Sequence, residues 1–155
     1  MKYWEDFVIG ERRIGRDDYL VTREEIIEFG RRWDPAPFHA DEEAAKASVF
    51  GGLIAPGPYL LAIQTWLMHR YEQREGEVTA AIARVATDDL RFHQAVRPGD
   101  RISFEMECVD KRESDTRPDR GIIADSIILR NQRGEPVLTL KNTILVEKRN
   151  PGNSS

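Results

Sequence analysis

Between Gly57 and about Tyr71 the chain carries its most apolar run: Tyr59, Leu60, Leu61, Ala62, Ile63, Trp66, Leu67 and Met68. These side chains fall on most sides of a helical wheel, so the helix they form has little polar surface to turn to water and is expected to be buried nearly all round. Pro58 suits its first turn, where a missing N–H is no loss and a fixed φ is already helical. Any fold open to this chain has to wrap one long helix in apolar surface.

The wrapping is legible downstream. Ile102, Phe104, Met106 and Cys108 alternate with Ser103, Glu105 and Glu107, the period of a half-buried strand. Leu138, Leu140, Ile144 and Val146 repeat the pattern, with Asn142 breaking it. Further strands are expected from about Ala80 to Phe92, near Ile122 to Leu129 and near Ile14 to Val21, with turns at Arg97-Pro98-Gly99-Asp100 and Asn131-Gln132-Arg133-Gly134. One buried helix followed by four strands predicts an α+β fold, an antiparallel meander wrapped around the helix.

A chain of 155 residues fits one domain able to bury roughly 70% of its unfolded surface, so it needs neither metal nor disulfide to fold. Residues 1–148 are read as that domain and 149–155, with Pro, Gly, Asn and Ser, as a disordered tail. Cys108, the one cysteine, sits in an alternating strand and reads as core. A net charge of −4 without a basic run argues against nucleic acid as a partner. The absence of a leader-like N-terminus and of 18 consecutive apolar residues points to a cytoplasmic protein with no membrane partner.

Ahead of the apolar run, Thr22-Arg23-Glu24-Glu25 has the form of a capping box and starts a short helix that ends before Asp34. Asp34-Pro35-Ala36-Pro37-Phe38 is predicted to be extended, because its prolines disfavour helix. A second short helix is expected over residues 41–47, closed by Phe50-Gly51-Gly52.

The chemistry resides here. Asp34 and His39 lie five residues apart in a proline-stiffened segment, and Gly57 opens the apolar helix eighteen residues later. A carboxylate and an imidazole on one rigid loop can share a water molecule. A helix N-terminus offers unpaired amides to developing negative charge, and glycine lets a carbonyl approach. The set suits water addition beside a polarised carbonyl.

Taken with Phe50-Gly51-Gly52-Leu53-Ile54-Ala55-Pro56-Gly57, Arg91-Phe92 and Val96-Arg97-Pro98-Gly99-Asp100, the Asp34-to-His39 segment resembles the MaoC-like dehydratases, relatives of the (R)-specific enoyl-CoA hydratases. The resemblance spans nearly the whole chain. It implies a hotdog fold, catalytic roles for Asp34 and His39, an oxyanion-binding amide at Gly57, and no metal or redox cofactor. It further implies an acyl-CoA or acyl-carrier thioester as partner and assembly into a homodimer or a larger homo-oligomer. The chain departs from the family pattern at Ala36, where many hydratases carry Asn or Gln, and at Pro56 and Pro58, which flank Gly57 and imply a reshaped acyl pocket.

The remaining candidates are weaker. His69 and His93 read as structural or solvated, and three scattered histidines give no zinc spacing. Ser48 and Thr65 lack a nucleophile elbow. Arg84, Arg91 and Arg97 are within the class of residues that meet coenzyme A phosphates, but read first as solvated side chains. The reading is a reversible enoyl-thioester hydratase or 3-hydroxyacyl-thioester dehydratase. Its alternatives are a hotdog thioesterase and an inactive acyl-binding hotdog subunit.

Overall fold

In the computed structural model, which describes residues 1–152, two short strands, β1 (Arg12–Ile14) and β2 (Tyr19–Leu20), precede helices α1 (Arg23–Trp33), α2 (Pro37–Ala40) and α3 (Glu42–Lys46). The long helix α4 (Gly57–Glu75) follows, and then strands β3 (Ala81–Phe92), β4 (Arg101–Glu113), β5 (Arg120–Arg130) and β6 (Pro136–Glu147). The antiparallel sheet runs β1-β4-β5-β6-β3, with β2 also paired to β4. The meander therefore covers β4 to β6, and β3 returns as an edge strand beside β6.

α4 lies on this sheet. Tyr59, Leu60, Ile63 and Leu67 enter one core with Ile102, Phe104 and Met106 of β4, Ile127 and Leu129 of β5, and Leu138 and Leu140 of β6. Truncating one such side chain costs about 2–5 kcal/mol, so this contact sets the architecture. The burial differs from expectation in one respect: Pro58, Ala62, Trp66 and His69 form an exposed stripe at helical spacing, so α4 is covered on its sheet side rather than all round. Gly76, in the left-handed region at φ 67, closes the helix.

Other departures have local causes. The segment expected to be extended contains α2, because Ala36 takes the N-cap and Pro37 the first helical position, where proline fits. The strand expected near Ile14 to Val21 is divided into β1 and β2. Thr22 caps α1 by accepting from Glu25 N–H at 3.2 Å, but Glu25 does not complete the box; its carboxylate accepts the hydroxyls of Tyr19 and Tyr59 instead. Asn142 does not break β6. It keeps the inward register and accepts a 2.8 Å hydrogen bond from Thr87 Oγ1. The tail read from Arg149 begins with Arg149 bonded to Glu5 and Asp6, and its last residues, 153–155, lie outside the described residues.

Two charges are enclosed beneath the sheet. Arg13 of β1 and Asp125 of β5, 4% and 3% exposed, meet with Nη2 to Oδ1 at 2.5 Å. Burial outweighs the neighbouring guanidinium and pushes the Asp125 carboxyl up to about 6 from 3.8. Among the described residues no helix is long and apolar enough to cross a membrane.

The raised value carries a sign. Between about pH 4 and pH 6 the folded chain holds a proton on Asp125 that the unfolded chain has released, so this group's contribution to stability falls as pH rises through that window. Melting temperatures of wild type and Asp125→Asn, followed from pH 4 to 7, are expected to show wild type losing ground to the variant with rising pH. A constant difference would refute the shift.

Candidate active site

The site is assembled by four backbone contacts. Asp34 N–H donates to Gly30 carbonyl at 2.9 Å and ends α1. His39 is carried on α2, whose turn is closed by His39 N–H to Ala36 carbonyl at 2.9 Å. Ile54 N–H donates to Phe38 carbonyl at 3.1 Å, which ties α2 to the segment leading into α4. Ala55 N–H, donating to Val96 carbonyl at 2.8 Å, ties that segment to the far side of the cleft.

His39 is buried at 6% exposure, and its Nδ1 lies 2.7 Å from the carbonyl oxygen of Ile54. A carbonyl only accepts, so Nδ1 carries the hydrogen and, in the neutral ring, Nε2 is left with its lone pair. Nε2 faces Asp34 Oδ2 at 3.6 Å. That separation is too long for a direct hydrogen bond and short enough for one water to touch both groups. The Asp34 side chain is 37% exposed, so it meets solvent where the imidazole does not.

Gly57 is the first residue of α4, and Pro56 is its N-cap. Pro58 has no N–H, while the amides of Tyr59 and Leu60 already donate to Pro56 carbonyl at 3.1 and 3.2 Å. The Gly57 N–H makes no hydrogen bond among the described residues. The flanking prolines thus leave this end of α4 with a single free donor, where an ordinary helix start has several. A methyl group on Gly57 would lie 2.8 Å from Phe92 Cζ. The Phe92 ring packed over the glycine would have to shift to admit a side chain there.

Structure thus brings Asp34 beside His39, and it places His39 and Gly57 in one cleft of about 350 Å³, walled by Phe38, Phe50, Phe92 and His93. Phe38 packs edge-on to both His39 and Phe50, with ring centroids 4.6 and 5.1 Å apart. His69 lies elsewhere, exposed on α4 with Nδ1 3.8 Å from Glu72. His93 lines the cleft with its Nε2 2.8 Å from Thr139 Oγ1, and the Arg97 guanidinium donates to Phe50 carbonyl at 2.6 Å, holding the aromatic wall rather than standing free. Ala36 makes no side-chain cap to α2.

Gly30 is a supporting residue that motif spacing did not flag. A methyl group there would sit 2.6 Å from His39 carbonyl oxygen and 3.0 Å from its Cβ, so the bare α-carbon lets α2 lie against α1. A glycine inside a helical pattern that costs about 1 kcal/mol relative to alanine was the signal available.

With this geometry in view, the family is clear: the chain belongs to the MaoC-like family, whose domain model, described as MaoC like domain, matches residues 6–128. Two solved structures are similar over nearly their whole length. One is a monoamine oxidase regulatory protein from Archaeoglobus fulgius, 33% identical with a TM-score of 0.83, covering 96% of each chain. The other is a MaoC-like dehydratase from Rhodospirillum rubrum, 32% identical with a TM-score of 0.83, covering 97% of this chain and 99% of that one. Among curated relatives, a probable enoyl-CoA hydratase alpha subunit of Thermomonospora curvata is 30% identical over 94% of this chain, which spans 50% of that protein's length. A Mycobacterium tuberculosis protein described as a double hotdog fold superposes with a TM-score of 0.75 over 99% of this chain and 46% of its own, at 15% identity, and shares the fold. The α+β hotdog expectation is borne out.

Gly30→Ala isolates the packing under His39. Helix propensity alone favours alanine by about 0.5–1 kcal/mol, whereas the backbone clash is expected to reverse the sign and destabilise by about 1–3 kcal/mol. Urea unfolding that shows a more stable variant would contradict the contact.

Proposed function

We propose that the chain is a hydratase or dehydratase acting reversibly on enoyl and 3-hydroxyacyl thioesters of the acyl-CoA type in the cytoplasm, with Asp34, His39 and Gly57 as its catalytic groups. The observation that carries this reading is the tautomer imposed on His39. Because Ile54 carbonyl takes Nδ1–H, Nε2 is a hydrogen-bond acceptor 3.6 Å from Asp34 Oδ2, close enough for one water lying beside the pair to donate to both.

In hydration, one O–H of a bridging water donates to Nε2 and the other to the Asp34 carboxylate, which leaves an oxygen lone pair for C3 of the enoyl group. As the C3–O bond forms, Asp34 takes the proton from the water and the C2–C3 π electrons move to the thioester oxygen. The Gly57 N–H, free of any other bond, stabilises that oxygen. The proton then goes to C2 as the enolate collapses, which restores the carboxylate. Dehydration runs the same steps backwards.

Similar proteins support the class: the T. curvata relative is named a probable enoyl-CoA hydratase subunit and the R. rubrum structure a MaoC-like dehydratase. The proposal includes a homodimer. β3 is a sheet edge whose Ile82, Val85, Leu90 and Phe92 are 39–54% exposed, and an apolar unpaired edge is a template for a second copy.

Asp34→Asn and His39→Ala are each expected to lower kcat for hydration of a short trans-2-enoyl-CoA by about 10²–10⁴-fold, the usual worth of a positioned proton-transfer group. Loss of the ultraviolet absorbance of the conjugated enoyl thioester would be replaced by thiol release if the site were a thioesterase. Folded variants that hydrate as fast as wild type would sink the assignment.

A further inference from the structure

β3 reaches the site by an irregular path. Thr87 stands opposite Asn142 of β6, and Phe92 stands opposite Leu138. From Asn142 to Leu138 is four residues, whereas from Thr87 to Phe92 is five, so β3 carries one residue more than its partner over this stretch. The register slips between Asp88 and Arg91. Inside that interval lies Asp89, at φ 52 the one residue other than glycine with a positive φ among the described residues. The extra residue is thus a β-bulge whose left-handed position, usually glycine, is filled by aspartate, one of the few side chains that tolerate it.

Side chains alternate between the faces of a strand, so one inserted residue exchanges the faces of everything after it. Leu138 belongs to the core beneath α4, and residues directly opposite in an antiparallel pair share a face. Phe92 therefore points toward α4, and its ring packs over Gly57, where an added methyl group would meet Cζ at 2.8 Å. Without the extra residue Arg91 would stand opposite Leu138, and Phe92 would point away. A guanidinium in that place would bring charge and competing N–H donors to the Gly57 amide. The phenyl ring brings neither, and it takes the place of water beside that amide.

We infer that Asp89 is a positioning residue of the site: its left-handed backbone sets the bulge that turns Phe92, rather than Arg91, onto Gly57. The inference rests on the hydratase reading for its kinetic consequence, and it adds a residue that touches no reacting atom yet shapes the oxyanion end of the cleft. A bulge that served only to bend the strand would leave the site indifferent to its loss.

Deletion of Asp89 is compared with the same deletion carrying Arg91→Phe, which returns a phenyl ring to the place opposite Leu138, and with Asp89→Gly, which keeps the left-handed position. In hydration of a short trans-2-enoyl-CoA, the deletion is expected to lower kcat/KM by about tenfold or more, chiefly through kcat, because the amide acts on charge formed in the transition state. Adding Arg91→Phe is expected to recover most of that loss, and Asp89→Gly to behave as wild type. Asp89→Val keeps the chain length but disfavours the left-handed position; it covers a deletion that fails to fold and is expected to move activity the same way. In parallel, NMR follows the Gly57 α-protons, whose ring-current displacement by Phe92 needs no substrate. That displacement is expected to be lost on deletion and in Asp89→Val, recovered with Arg91→Phe and kept in Asp89→Gly. If this pattern holds while wild type hydrates no enoyl-CoA, the hydratase reading fails and the placement of Phe92 by Asp89 stands. Unmoved α-proton shifts in the deletion and in Asp89→Val, or shifts that move while kcat/KM stays at the wild-type value, overturn the inference.

Discussion

The contact between α4 and the sheet is the constraint from which the rest of the structure follows. Tyr59, Leu60, Ile63 and Leu67 require an apolar surface, and β4, β5 and β6 supply it in consecutive antiparallel register. Once the helix is fixed on the sheet, the position of its N-terminus is fixed too. Gly57 then stands under Phe92, at the point where β3 leaves the sheet. A helix start, an aromatic ring and a strand end converge without any residue of the site having to fold independently.

What the core does not position, a few backbone hydrogen bonds do. α2 is one turn long, far too short to be stable alone, yet it carries His39. It is held by Ile54 on one side, which both donates to Phe38 and accepts from His39, and by the bare α-carbon of Gly30 on the other. The bond from Nδ1 to Ile54 serves two ends: it anchors the turn and selects the tautomer. Pro56 and Pro58, departures from the family pattern, act in the same direction by removing or occupying every competing donor around the Gly57 amide.

Much of this was legible in the residues. The period-two runs in β4 and β6, the apolar run of α4 and the spacing of Asp34, His39 and Gly57 each reflect local rules, and local rules are written in consecutive positions. The misreadings arose where a distant contact decided. Two prolines suggested extended chain, but Pro37 found a helical first position because α2 is braced by Ile54 and Gly30. Glu25 fitted a capping box, but Tyr19 and Tyr59 compete for its carboxylate across the fold. Asn142 looked like an interruption because its partner, Thr87, lies on a neighbouring strand. The apolar wheel of α4 suggested burial all round, and the single chain covers one side.

The central claim is geometric: a thioester oxygen belongs at Gly57 N–H, and the reacting water beside the His39–Asp34 pair, touching both Nε2 and the carboxylate. A crystal structure of the protein with a bound 3-hydroxyacyl-CoA tests it most directly, because the product's hydroxyl marks where the water stood. The account predicts the thioester oxygen about 2.7–3.1 Å from the Gly57 nitrogen and the C3 hydroxyl within hydrogen-bond reach of both His39 Nε2 and Asp34. A ligand whose thioester lies away from Gly57, or whose hydroxyl contacts neither side chain, would contradict it.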